Sequence, residues 1–154
     1  SPTLKTTYHG HRTDAALIGG AMGLAEDDPQ LKQALSLAEA RGVQMKIDFF
    51  PANVVHPNTA QLTLRAPDGE KVTVKGVSIG GGSIVIDAVD EQNLRLLPEQ
   101  YHILAWGEGA ENALDAVFSG AASVQKGSGV VAASFLQRPN EAVMRRVAEA
   151  AGIS

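Results

Sequence analysis

The chain contains no cysteine. That absence excludes disulfides, thiolate catalysis and any thiolate-held zinc or iron–sulfur site within these 154 residues, although ligation by histidine and carboxylate stays chemically open. Long apolar runs are missing as well. Nothing approaches the roughly 18 residues that a membrane-spanning helix needs, and the opening stretch SPTLKTTYHG has no apolar centre of the kind a signal peptide carries. Cationic surface is scarce, since 13 Lys and Arg stand against 17 Asp and Glu for a net charge of -4. Such a chain offers no basic stripe to nucleic acid and no cationic amphipathic face to a bilayer, so neither partner is expected and a cytoplasmic location is the default. No repeat or low-complexity segment is present.

What remains is a chain with 44% hydrophobic residues, enough to bury a core as one domain or two small ones. Between Asp14 and Leu24 the residues Ala15, Leu17, Ile18, Ala21 and Met22 recur at helical spacing, with Thr13 or Asp14 placed to cap the first turn. Asp28-Pro29 supplies an N-cap and an N1 proline for a second helix, whose stripe is Leu31, Ala34, Leu35 and Ala38 and whose closing glycine is Gly42. Val43, Met45, Ile47 and Phe49 alternate with polar residues up to Pro51, which reads as a half-buried strand followed by a VVHPNT loop.

Leu62 and Leu64 alternate with polar neighbours, Asp68-Gly69 turns the chain, and Val72, Val74 and Val77 begin the return strand of a hairpin. Gly80, Gly81 and Gly82 then interrupt the pattern as a bend, a bulge or a close backbone approach before Ser83 to Val89 resume it. Beyond Glu91 the pattern predicts a strand from Tyr101 to Trp106, a helix from Ala110 to Phe118, strands from Ala121 to Gln125 and Val130 to Leu136, and a helix from Glu141 to Ala151. This βαββα order is a ferredoxin-like module short of its last strand. The expected fold is α+β, with a boundary near Leu97 to Gln100 dividing residues 1–97 from residues 98–154 and the two parts packed together.

Three clusters can carry chemistry. Tyr8-His9-Gly10-His11-Arg12-Thr13-Asp14 gathers imidazoles, a hydroxyl and a carboxylate just before a helix N-terminus, where free N–H groups favour a bound carboxylate. Equally, Thr13 and Asp14 serve as caps and the histidines as surface residues. His9 and His11 lack a third ligand, so no metal site is expected. In His56-Pro57-Asn58-Thr59 the proline fixes a turn that presents Asn58 and Thr59 to a small polar ligand, or is simply a turn. Ser78-Ile79-Gly80-Gly81-Gly82-Ser83 exposes backbone N–H groups to a carboxylate or phosphate, but lacks the lysine and following helix of a P-loop.

Taken in order, Gly10-His11-Arg12-Thr13-Asp14, His56-Pro57-Asn58-Thr59 and Ser78-Ile79-Gly80-Gly81-Gly82, with the intervening ALSLAEARGV, resemble the β chain or β-domain of bacterial iron–sulfur-dependent L-serine dehydratases over about residues 5–90. The resemblance implies conversion of L-serine, or a similar small amino acid, to pyruvate and ammonia. It places a [4Fe-4S] cluster on cysteines of an α chain or domain, where it acts as Lewis acid on the departing hydroxyl. It also implies a homo- or hetero-oligomer, no cofactor in this chain, His11 as base or substrate-orienting group, and Thr13 and Asp14 as substrate- or effector-binding residues.

The same domain is similar to the allosteric substrate-binding domain of some phosphoglycerate dehydrogenases, which implies an effector site at His56, Asn58, Thr59, Ser78, Gly80, Gly81 and Gly82. Its fold would be a mixed-sheet β-domain followed by a short, degenerate ACT-like module. Three departures stand out. The family's Gly-Pro-Ser-Ser-Ser-His-Thr segment is not among these residues, and its glycine between His and Thr is Arg12, a cation that either pairs with a substrate carboxylate or obstructs the pocket. Trp106-Gly107-Glu108-Gly109 replaces an Arg-Pro-Gly-type turn. The alternative reading is a non-catalytic amino-acid-binding module on the same fold. Because the chain has no thiolate, the purified protein alone is expected to show no iron–sulfur absorption and no deamination of serine. Either signal from the isolated chain would contradict the subunit reading.

Overall fold

The structure, a computed structural model, describes residues 10–49, 56–107, 109–115 and 120–150. Tyr8, His9 and Pro51 lie outside them, as do Glu108 and the expected ends of two helices at Phe118 and Ala151. Helix α1 (Thr13–Ala21) opens the described fold. Its N-cap position is Arg12, in the left-handed region at φ 56 and ψ 30, with no side-chain cap. Neither Thr13 nor Asp14 caps it, contrary to the sequence expectation, because both are already inside the helix and the Asp14 carboxylate accepts the neighbouring Ala15 N–H at 2.8 Å. The helix also stops short of Leu24, where the Gly23 and Leu24 N–H groups turn back to the carbonyls of Gly20 and Gly19 in a Schellman closure.

Asp28 does cap the next segment, accepting the Gln30 N–H at 2.7 Å. That segment is a 3-10 turn (Pro29–Gln33) running into helix α2 (Ala34–Ala40), not one continuous helix. Gly42 ends α2 at φ 69, and the Val43 N–H reaches the Ala38 carbonyl at 2.8 Å. A left-handed residue is needed there, and glycine has no Cβ to resist it. Ala15, Ile18, Ala34 and Ala38 form the core between the helices, with Met22 and Leu24 against it. The approach is close enough that a Cβ at Gly19 would overlap the Leu31 side chain.

The strand expected over Val43 to Phe49 does not form. No described strand pairs with it, and Val43, Met45, Ile47 and Phe49 are all exposed, so the alternating pattern meets no ladder among the described residues. Lys46 and Asp48 form an exposed ion pair at 2.9 Å, whose hydrogen bond and charge raise the lysine ammonium above its ordinary pKa.

The first sheet runs β1 (Thr59–Arg65), β2 (Lys71–Gly80), β3 (Ser83–Val89) and β4 (Gln92–Leu96), in that spatial order. Asp68-Gly69 makes the expected β1–β2 turn, with the Asp68 carboxylate accepting the Glu70 N–H at 3.0 Å. Strand β4 was not anticipated from the sequence. The turn before it, Asp90-Glu91, takes φ 47 and φ 68 without a glycine, so the usual hairpin signal is absent.

The second sheet holds β5 (Tyr101–Trp106), β6 (Ser123–Gly127) and β7 (Val130–Phe135) in the order β5-β7-β6, with helices α3 (Ala110–Asp115) and α4 (Glu141–Ala150). All described strand pairs in both sheets are antiparallel, where a mixed sheet was expected. The class is α+β, as read from the sequence.

Every residue of β7 is buried. Val131, Ala133 and Phe135 join Ala110, with Val143 and Val147 of α4 against them, while Val130 and Ala132 join Val89, Leu94 and Leu96 of the first sheet. One strand therefore supplies two cores. Polar contacts reinforce the junction between sheets: the Gln125 amide donates to the Arg95 carbonyl at 2.8 Å and accepts the Arg95 N–H at 2.7 Å, as a neighbouring strand would. His102 is held between the Ser134 hydroxyl and the Leu97 carbonyl, both at 2.9 Å.

Asp90 makes as many bonds at that junction as Gln125 or His102. Its carboxylate accepts the Thr73 N–H at 2.7 Å and the Trp106 indole N–H at 3.0 Å, tying the β3–β4 turn to β2 and to β5. Removing both acceptors with Asp90→Ala is expected to destabilise the fold by about 2 kcal/mol. Urea unfolding followed by the fluorescence of Trp106, the chain's one tryptophan, measures it. A loss below about 0.5 kcal/mol, the range of an ordinary surface substitution, would show that the clamp is incidental.

Candidate functional site

Two of the three sequence clusters come together. In the β1–β2 ladder Thr59 lies opposite Val77, so the turn entering β1 sits beside the end of β2, and the Asn58 carbonyl accepts the Ser78 N–H at 3.1 Å. His56-Pro57-Asn58 and Ser78 to Gly82 thereby share one end of the first sheet.

Within the turn the Asn58 N–H donates to His56 Nδ1 at 3.2 Å, and the Thr59 hydroxyl donates to the His56 carbonyl at 2.8 Å. Nδ1 is thus the acceptor nitrogen, so the neutral ring carries its proton on Nε2. Thr59 has spent its proton, and its oxygen can offer a ligand only lone pairs. The Asn58 side chain is exposed and makes no hydrogen bond among the described residues, which leaves its amide available.

The glycine run resolves as a hairpin turn. Gly80 pairs with Ser83, and Gly81 and Gly82 form the loop between them at φ 62 and φ 82. Both central residues left-handed is the pattern of a type I′ turn. A register shift between Ser78 and Gly80 leaves Ile79 without an opposite partner, so a bulge accompanies the turn. Apart from chain neighbours, no atom of the described residues lies within 4 Å of where a Cβ would stand at Gly80, Gly81 or Gly82, so the backbone there is open to an approaching group.

The third cluster lies on the helical pair. His11 is exposed and its imidazole makes no hydrogen bond or ion pair among the described residues. Thr13 is half-buried and Asp14 is buried at 5% exposure. Arg12 donates from Nη2 to the Lys32 carbonyl, bridging the start of α1 to the 3-10 turn. Between these elements is a cleft of about 240 Å³ lined by Arg12, Asp14, Ala15, Lys32, Gln33, Leu35 and Ser36.

No described core cluster joins this cleft to the end of the sheet that carries His56 and Gly81. Lys32, Gln33 and Ser36 were not singled out from the sequence. They sit in a segment whose helical stripe masked its polar side. Among the described residues no group of three or more His, Cys, Asp or Glu could hold a metal ion.

The described residues thus present an exposed histidine at the start of α1 and an open sheet end formed by two loops. Over 90 residues, 58% of this chain, it is 42% identical to the probable β chain of L-serine dehydratase from Bacillus subtilis (strain 168), 40% of whose length is covered. Over 83 residues, 52% of this chain, it is 39% identical to the β chain of L-serine dehydratase from Peptoniphilus asaccharolyticus, 36% of whose length is covered. The chain is thus homologous to L-serine dehydratase β chains over about half its length, and it spans well under half the length of these curated relatives. No family model and no solved structure matches it.

The open glycine turn generates a local prediction. Alanine at Gly81 or Gly82 would meet no neighbour, so its cost is the backbone conformation alone, about 1 to 2 kcal/mol each. Equilibrium denaturation of the two single variants checks this. Wild-type stability in both would mean that the loop readily adopts another turn.

Proposed function

We propose that this chain is the β component of an L-serine dehydratase, acting with an α partner to convert L-serine to pyruvate and ammonia. The observation that carries the reading is the 42% identity over 90 residues to a β chain of that name. The three motif segments recognised in the sequence point the same way. The chain's own donor set does not suit a [4Fe-4S] cluster, since it has no cysteine. The group belongs to the partner.

Eliminating water from serine requires a base to take the proton from carbon α. An imidazole exchanges protons near neutral pH, and His11, exposed at the start of α1, is the group of this chain proposed to take that proton or to orient the substrate for its loss. Thr13, half-buried, and Asp14, buried, are proposed to line the substrate site beside it. The elimination product rearranges and hydrolyses to pyruvate and ammonia without further help from this chain.

The paired loops at the sheet end are proposed as an effector site for serine itself. The Gly81 and Gly82 backbone would receive the carboxylate, while the Asn58 side-chain oxygen and Thr59 Oγ1 would accept from the ammonium or hydroxyl. Convergence of Asn58 with Ser78 supports this, and it equally supports a second reading in which the fold binds an amino acid without catalysis. Residues 1–97 are proposed as the β-domain proper and residues 98–154 as an ACT-like module. The βαββα order with its three strands arranged first, third, second favours that assignment.

His11→Ala is expected to lower turnover by at least a hundredfold in enzyme reconstituted with an α chain, the range typical of a lost general base. The far-ultraviolet spectrum of the variant should match wild type, because His11 precedes the helix, is exposed, and belongs to no core cluster of the described residues. Unchanged pyruvate formation would remove His11 from the mechanism.

A further inference from the structure

Arg12 holds a conformation that resists any residue with a Cβ, at φ 56 and ψ 30, and it makes no cap hydrogen bond in return. Its side chain is exposed, so packing does not compensate either. Strain of this kind is retained where the surroundings use the residue for something. Its guanidinium has five N–H donors, and among the described residues one protein acceptor, the Lys32 carbonyl, is engaged. Arg12 lines the cleft between α1 and the 3-10 turn.

Lys32 lines the same cleft, and its ammonium has no ion-pair partner among the described residues. Two cations therefore flank one small cavity. Asp14 is the one carboxylate among the described lining residues and is buried, so the two cations outnumber it at the rim. Ser36 and Gln33 add a hydroxyl and an amide to its wall. A volume of about 240 Å³ falls below that of pockets for drug-sized ligands and suits a small metabolite.

We propose that Arg12, assisted by Lys32, is the carboxylate-binding residue of this cleft, and that its ligand is a small zwitterionic amino acid. The inference rests on the reading of this chain as an amino-acid-handling β component, and it places the substrate carboxylate next to His11. The guanidinium is pre-positioned by its bond to the Lys32 carbonyl. It can grip a carboxylate with two parallel N–H donors while Lys32 contributes its charge.

The test follows backbone amide shifts of the chain by NMR during titration with L-serine and with serinol, the achiral amino diol that keeps the ammonium and hydroxyl but lacks the carboxylate. Serine should move the amides of residues 12–15 and 32–36, and serinol should not. Arg12→Gly should weaken serine binding at least tenfold, and Arg12→Lys should fall between it and wild type.

The glycine variant should also melt at a higher temperature than wild type, because it relieves the left-handed residue. A purely structural Arg12 would instead lose melting temperature with its bond to Lys32. Serine affinity unchanged in Arg12→Gly, or inorganic phosphate moving these amides where serine does not, would overturn the proposal. So would serine shifts confined to residues 56–82, an outcome that leaves the β-component reading standing.

Discussion

The burial of β7 on both faces is the constraint on which the rest of the structure depends. Its sequence, VVAASF, presents Val131, Ala133 and Phe135 to the helices and Val130 and Ala132 to the first sheet. A strand covered on both sides needs small and apolar residues throughout, and a single charge in it would be left without solvent or partner. Because both cores draw on the same strand, the two sheets are mechanically one body, and the Gln125 and Asp90 bonds add direction to a junction that apolar packing has already made. The helical pair at the start of the chain is different. It has its own small core of Ala15, Ile18, Ala34 and Ala38, so its position does not follow from β7.

Register carries the argument from fold to site. Pairing Thr59 with Val77 fixes which residues of β1 and β2 lie side by side, and it leaves the turn before β1 no choice but to meet the end of β2. A slip of one residue would send the alternating side chains to the wrong face of the sheet, which the burial of Val77 and Val85 opposes. Two motifs separated in the sequence thus become one surface through backbone hydrogen bonding alone. The glycine turn then contributes what side chains would obstruct, an open run of backbone.

Much of this was legible in the sequence where local chemistry decides the outcome. Asp68-Gly69, the Asp28 cap, Gly42 and the apolar β7 segment each carry their own structural instruction, and the structure follows them. Where the outcome depends on distant partners the reading failed. Val43 to Phe49 alternates like a strand, yet a strand is defined by its neighbour, and none is present among the described residues. Strand β4 has no turn signal before it in the sequence, because Asp90 and Glu91 adopt left-handed conformations that glycine or asparagine usually announces. Thr13 and Asp14 look like caps, but the true boundary lies at Arg12, whose conformation nothing in its identity foretells. The motifs at His11, His56 and Gly80 were visible; that the latter two converge, and that Lys32 faces Arg12 across a cleft, required the fold.

The role proposed for this chain is to complete an enzyme whose cluster lies elsewhere. The direct measurement is to mix the purified chain with the iron–sulfur-loaded α chain of a two-chain L-serine dehydratase and follow both association and pyruvate release from L-serine. The account predicts a complex that survives gel filtration, with pyruvate formation that rises with added chain until the two are equimolar. An α chain that neither binds this protein nor gains activity from it would contradict the account.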